Sequence, residues 1–300
     1  MVPKAFIEAL NGISYTLGEP MNRHTTFKIG GNADVMLTPE SVTELCLVIK
    51  TAKEYSVPYF ILGKGSNLLV SDDGIEGAVI SVSKLDKIEA TGDRIVCGAG
   101  ASLAAVCVAA RDAALTGLEF AYGIPGSIGG ALYMNAGAYG GEMSQMTVCA
   151  QCINGDGNIV TVSSEDMALG YRTSAFKKNG FVITSVTLEL KKGDIQQINA
   201  QMQELFGRRR DKQPLEYPSA GSTFKRPEGY FAGALIEKNN LKGVAVGGAQ
   251  VSEKHAGFVI NRGGATCSDV RALIEKIQDT VYKNDGVRLE TEIISVGRGE

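Results

Sequence analysis

The chain has 300 residues, 44% hydrophobic and 21% charged, with a formal net charge of −3. This composition excludes a disordered chain and a dedicated nucleic-acid binder, which carries a basic excess, and the length predicts two domains of ~150 residues. No run of ~18 apolar residues predicts a membrane span, and residues 1–10 lack the basic and apolar regions of a signal peptide, so the expected location is the cytoplasm.

Residues 20–85 alternate strand and helix. A strand is predicted over 33–37. After Pro39, Ser41 and Glu44 have capping-box spacing, and Val42, Leu45, Cys46 and Ile49 form the apolar stripe of the helix that follows. A second strand over 57–62 runs into Gly63-Lys64-Gly65-Ser66-Asn67. Between 86 and 207, short strands flank the turn Gly92-Asp93, and Ser102 caps an Ala-rich helix expected to end at Gly117. Gly123-Ile124-Pro125-Gly126-Ser127-Ile128-Gly129-Gly130 follows and opens a short apolar segment. Hairpin strands are expected over 146–162 and 181–190, with Tyr171-Arg172 between them. Asp194 is expected to cap a helix with Ile195, Ile198, Met202 and Leu205 inward. Past the charge run 208–212 come Gly221-Ser222-Thr223-Phe224, helices near 231–239 and 268–284, and a last strand over 287–296.

Of six cysteines, only Cys149 and Cys152 are close, as a CxxC. They fall in a predicted strand, where positions i and i+3 point to opposite faces. No second CxxC or nearby His completes a zinc site, so the pair is expected to be structural and the chain to hold no metal.

The two glycine-rich loops are either tight turns needing positive φ or nests whose successive N–H groups hold phosphate. Neither has the spacing of a dinucleotide GxGxxG or of a P-loop. Arg172 is either a surface arginine or a bidentate anion ligand. Ser222 is either a loop serine or a proton donor. In the last strand, alternation puts Leu289 and Ile293 on one face and Glu290 and Glu292 on the other, as a solvated edge or an acid near a reacting centre. His24 and His255 are the only histidines, and no Ser-His-Asp arrangement is legible. The cations of 208–212 suit the C-terminal end of a helix.

In order and spacing, His24-Thr25-Thr26-Phe27-Lys28-Ile29-Gly30-Gly31-Asn32-Ala33-Asp34, Leu62-Gly63-Lys64-Gly65-Ser66-Asn67, the Gly123–Gly130 loop, Met134-Asn135-Ala136-Gly137-Ala138-Tyr139-Gly140, Tyr171-Arg172-Thr173-Ser174, Gly221-Ser222-Thr223-Phe224-Lys225 and Leu289-Glu290-Thr291-Glu292 resemble the UDP-N-acetylenolpyruvoylglucosamine reductase family over nearly the whole chain. The resemblance implies an α+β fold. A two-subdomain FAD-binding domain of the vanillyl-alcohol-oxidase type would fill 1–207, with subdomains about 1–85 and 86–207. A smaller α/β substrate-binding domain would fill 208–300. With no insertion for an extra tyrosine-bearing loop, the chain looks like the shorter subclass. Arg226 stands where longer members often have Asn, and Asn32 replaces a frequent Pro.

What the resemblance implies about the site is specific. Arg172, Ser222 and Glu292 match the catalytic arginine, proton-donating serine and glutamate. Tyr171, Arg172 and Lys212 match substrate-binding positions. Leu62, Gly63, Lys64, Gly65, Ser66, Asn67, Gly123, Pro125, Gly126, Ser127, Gly129, Gly130, Asn135 and Ala136 match the cofactor-binding positions. The implied reaction is NADPH-dependent reduction of UDP-N-acetylglucosamine enolpyruvate to UDP-N-acetylmuramate in peptidoglycan synthesis, with Ser222 giving the proton and Arg172 and Glu292 stabilising the enol-like charge. With no His or Cys in either glycine loop, FAD is expected to be non-covalent. The implied partner is this small-molecule substrate, with no nucleic acid, membrane insertion or obligate protein partner. Two alternatives are an oxygen-using oxidase of the same fold and a flavin-free nucleotide-binding module. Oxygen uptake tests the first, and the colour of the purified protein tests the second.

Overall fold

In the computed structural model, which describes residues 2–299, Ser41 caps the helix Val42–Glu54, its hydroxyl accepting the Glu44 N–H at 3.2 Å. The Glu44 carboxylate accepts from the Glu40 N–H at 2.7 Å instead of from Ser41, so the expected box is only half formed. Leu45, Val48 and Ile49 bury the apolar face. This helix connects two strands of a four-stranded sheet ordered Ser14–Pro20, Asn32–Thr38, Ile75–Ser81, Tyr59–Leu62. The last two run parallel, with Tyr59 opposite Ala78 and Leu62 opposite Ser81.

A five-stranded sheet follows in the order Ile159–Ser163, Thr147–Ile153, Val182–Glu189, Arg94–Gly98, Ile88–Thr91, antiparallel throughout. Cys149 and Cys152 lie in its second strand, the first half-buried and the second fully buried. Burial pushes the thiols of Cys97, Cys107 and Cys152 up to about 12. The Ala-rich helix is Leu103–Asp112 and stops five residues short of Gly117. Ala114 turns left-handed at φ 55, and the chain continues as Leu115–Thr116, which pairs with Lys191–Lys192 and buries Leu115.

Asp194 does cap a helix, its carboxylate accepting the Gln197 N–H at 2.9 Å. That helix is Ile195–Lys212, so the charge run forms its last turns instead of following it. Ile198 and Met202 are buried, whereas Ile195, expected inward, is 47% exposed in the first turn.

The chain packs as two units, each assembled from three segments. The first holds the chain up to Leu17, Val35–Lys64 and Gly77–Arg209. One continuous buried cluster runs through it from Phe6 by way of Leu37, Ile80, Ile95 and Leu132 to Met202. The second holds Gly18–Asp34, Gly65–Glu76 and the chain from Arg210 onward. The expected division at 207/208 falls beside the last of these boundaries. Residues 18–34 and 65–76, expected with the N-terminal part, pack with the C-terminal part because Phe27, Ile29 and Leu69 join the cluster of Leu235, Val259, Val270 and Ile277.

The second unit has an antiparallel sheet Ala245–Val246, Ala249–Val251, Val259–Asn261 and the helices Ala232–Lys238 and Cys267–Asp285. The expected strand over 287–296 is mostly irregular. Only Ile294–Val296 is a strand, parallel to Leu68–Val70. Upstream, among the described residues, a single β-bridge joins Thr291 to Phe224, so no ladder forms. Leu289 and Ile293 are buried and Glu290 is exposed, as alternation implied. Among the described residues no helix is long and apolar enough to cross a membrane.

Candidate functional site

The loop 63–67 links the two units. Gly65 turns at φ +61, and a Cβ there would lie 2.1 Å from the His24 carbonyl oxygen, so only glycine fits. The carbonyls of Gly65 and Asn67 accept from the Thr26 and Ile294 N–H groups at 3.1 and 2.9 Å. Asn67 Nδ2 donates to the Glu292 carbonyl at 3.1 Å. The loop is thus held by its carbonyls and one side chain. Among the described residues, none of the N–H groups of 63–67 donates to another group of the chain. Gly65 is buried and Gly63, Ser66 and Asn67 are half-buried. A run of unspent, partly buried N–H groups suits an anion, and FAD's pyrophosphate fits that requirement. Leu62, expected at the cofactor, is 2% exposed as the end of its strand.

The second loop approaches the first within the first unit, where a Cβ on Gly63 would lie 2.4 Å from Ser127 Oγ. Ser127 caps the short helix Ile128–Tyr133 by accepting from Gly130 N–H. Here the expectation of a continuous N–H row needs correction. The Ile128 and Gly129 N–H groups donate to the carbonyls of Ala101 and Ala99 at 2.8 and 3.0 Å, and Gly130's goes to Ser127. Among the described residues of this loop, the N–H groups of Gly126 and Ser127 and that of half-buried Gly123 remain unspent, beside exposed Pro125.

Arg172 occupies a corner of a tight turn closed by reciprocal Gly170 and Thr173 main-chain bonds of 3.1 and 3.2 Å. Its backbone is left-handed, φ 55. Its Nη2 donates to the Gly137 carbonyl at 3.2 Å, and its guanidinium lies 5.0 Å from the exposed Tyr171 ring. Asn135, expected at the cofactor, exposes no surface. Its amide donates to the Gly170 carbonyl at 3.1 Å and its oxygen accepts the Ser144 N–H at 2.9 Å. Its side chain therefore serves the turn, while neighbouring Ala136 is half-buried.

Ser222 and Glu292 belong to the second unit. Gly221 at φ +79 turns the chain into Ser222, which is exposed. Buried Thr223 anchors it: its N–H donates to Gly257 O at 2.8 Å, its hydroxyl accepts from Val259 N–H at 2.9 Å, and its carbonyl accepts from Glu292 N–H at 2.9 Å. Ser222 is therefore one residue from the main-chain partner of half-buried Glu292. Glu290 pairs outward with Lys225 at 3.0 Å. Lys212 is exposed at the end of its helix. Both histidines are engaged locally. His24 Nε2 lies 2.8 Å from the Glu19 carboxylate, and His255 Nδ1 accepts the Gly257 N–H at 3.1 Å, with burial lowering its pKa.

Sequence reasoning missed Arg209. It is 7% exposed, donates to the Gly123 carbonyl at 2.7 Å and hydrogen-bonds Tyr139; burial lowers its pKa. The signal was present in the helical period, because Arg209 continues the buried stripe of Ile198 and Met202.

Comparison with known proteins identifies both halves. A family model described as UDP-N-acetylenolpyruvoylglucosamine reductase, C-terminal domain, matches residues 213–296, and one described as FAD binding domain matches 33–163. A UDP-N-acetylenolpyruvoylglucosamine reductase of Clostridium perfringens is 50% identical over 291 residues, 97% of this chain and 96% of that one. One of Clostridium novyi is 51% identical over 92% of this chain and 90% of its own. The crystal structure of UDP-N-acetylenolpyruvylglucosamine reductase from Thermus caldophilus matches with a TM-score of 0.82 at 34% identity, covering 95% of this chain and 98% of that one. A berberine bridge enzyme variant, a reticuline dehydrogenase, shares the fold alone, with a TM-score of 0.50 at 15% identity over 63% of this chain and 44% of its own.

Proposed function

The chain belongs to the UDP-N-acetylenolpyruvoylglucosamine reductase family, FAD-dependent oxidoreductases, and from that premise we propose that it reduces UDP-N-acetylglucosamine enolpyruvate to UDP-N-acetylmuramate with NADPH, in peptidoglycan synthesis. The N–H groups of 63–67, with those of Gly126 and Ser127, would hold the FAD pyrophosphate. When bound, FAD supplies hydride transfer from NADPH to the enolpyruvyl double bond.

The chain's own residues do the rest. The Arg172 guanidinium holds the substrate carboxylate, onto which charge spreads as the double bond is reduced, and Tyr171 and Lys212 contribute to substrate binding. Glu292 acts on the same developing charge. The Ser222 hydroxyl delivers the proton to carbon. The observation that carries this reading is Thr223, whose three polar bonds fix Ser222 next to the main chain of Glu292.

Ser222→Ala separates the two half-reactions. Flavin reduction by NADPH needs no proton from Ser222 and proceeds near the normal rate. Reoxidation by the enolpyruvyl sugar nucleotide falls ~10²–10⁴-fold, the usual cost of losing a positioned acid. Stopped-flow on each step checks this. Equal slowing of both steps, or of neither, rejects the assignment.

A further inference from the structure

We propose that Asn135 is the positioning residue of Arg172, holding the Gly170–Thr173 turn in the left-handed form that presents the guanidinium; the inference rests on the reading of Arg172 given above. A left-handed backbone has a free-energy cost for an ordinary residue and persists only where its surroundings fix it. Arg172 pays that cost at φ 55.

The clamp is the segment 133–137. Tyr133 O accepts from Ser174 Oγ at 2.7 Å, Asn135 Nδ2 donates to Gly170 O at 3.1 Å, and Gly137 O accepts from Arg172 Nη2 at 3.2 Å. From the other side, Lys177 Nζ donates to the Arg172 carbonyl at 2.8 Å. Asn135 is the middle of the three contacts and the only one whose side chain reaches two segments at once. Its Oδ1 takes the Ser144 N–H at 2.9 Å, so the turn at 170–173 is tied to the turn Met143–Gln145 through one amide.

The position makes three demands together. The backbone is left-handed, φ 44; one donor must face Gly170 O; one acceptor must face Ser144 N. Among amino acids, asparagine tolerates that backbone and carries both groups on a short side chain. Aspartate is nearly isosteric but cannot donate, so it sets a carboxylate against a carbonyl. Glycine keeps the backbone and removes both bonds. The side chain's complete burial excludes water as a substitute for either.

The experiment is a double-mutant cycle with a structural readout. Asn135→Asp is expected to raise amide exchange across 170–177 and to slow reoxidation by UDP-N-acetylglucosamine enolpyruvate by about tenfold, more than it slows reduction by NADPH. In an Arg172→Ala background the same change should slow reoxidation by less than about twofold, because the group it positions is gone. Equal factors in both backgrounds, or exchange unchanged across 170–177, overturn the inference. Arg172→Ala with normal reoxidation overturns the functional reading of Arg172 instead. Should Asn135→Asp lose the fold, Asn135→Gly is carried through the same cycle.

Discussion

Gly65 sits at the point where a side chain is least tolerable. Its φ of +61 costs a residue with a Cβ about 1 kcal/mol, and the Cβ would overlap a main-chain oxygen, which cannot swing away as a side chain could. Gly65→Ala must therefore shift the loop and misalign its N–H row. The expected outcome is a folded protein whose FAD affinity falls at least tenfold, read by titrating apoprotein with FAD; unchanged affinity would detach this loop from the cofactor. At this scale, the proposed roles of the glycines, of Arg172 and of Ser222 between Gly221 and Thr223 rest on residue types that announce their chemistry. Arg209, and the tie that Asn135 makes to the 170–173 turn, have no such mark in the sequence. The Asn135 amide bonds groups 9 and 35 residues away, and the buried Arg209 guanidinium meets a carbonyl 86 residues away. Such distances leave no local pattern.

The helix Cys267–Asp285 was legible from its stripe of Val270, Leu273, Ile274 and Ile277, all buried. Its start holds more than the sequence discloses. Thr266 and Asp269 form a reciprocal capping box, and Asp72, from a distant segment, accepts the Cys267 and Ser268 N–H groups at 2.7 and 3.0 Å. Partial burial works to raise the Asp72 pKa, but the Ser268 and Cys267 bonds outweigh it and the net shift is downward. A lowered carboxyl stabilises the fold above its unfolded value of ~3.9, and that contribution is lost as pH falls through the lower folded value. His255, also lowered, favours its neutral form in the fold; its contribution is full above ~6.5 and is lost as pH falls through its folded value. Of these two groups, His255 loses its contribution first as pH falls and Asp72 follows at lower pH. Asp72→Ala should cost about 1 kcal/mol at neutral pH, as lost caps do, and flatten the lower part of the acid limb. Urea melts across pH measure both. The failure at 287–296 was also one of element scale. Leu289 to Ile293 alternates like a strand, but a strand needs a partner of equal length, and Phe224 offers a single bridge.

At the scale of the molecule, the second unit takes its core from three separated stretches of chain. Phe27, Ile29 and Leu69 lie in the cluster with Val270 and Ile277, and among the described residues Leu68–Val70 supplies the only strand beside Ile294–Val296. A fragment of residues 210–300 keeps its helices' sequences but loses those side chains and that strand. It should show no cooperative thermal transition by circular dichroism, and adding a peptide of residues 65–76 alone should not restore one, since Phe27 and Ile29 remain missing. A sharp transition in the fragment would contradict this. No local period could have revealed that assembly, because it depends on which apolar segments meet across the length of the chain. It also sets a clock. Asn67 and Glu292, bonded in the finished fold, are 225 residues apart. At the ~5–20 residues per second of translation, the ribosome needs roughly ten to forty-five seconds to pass from one to the other. For that interval the nascent chain carries Phe27, Ile29 and Leu69 with their core unmade, so the second unit closes only late in synthesis, however early the first has folded.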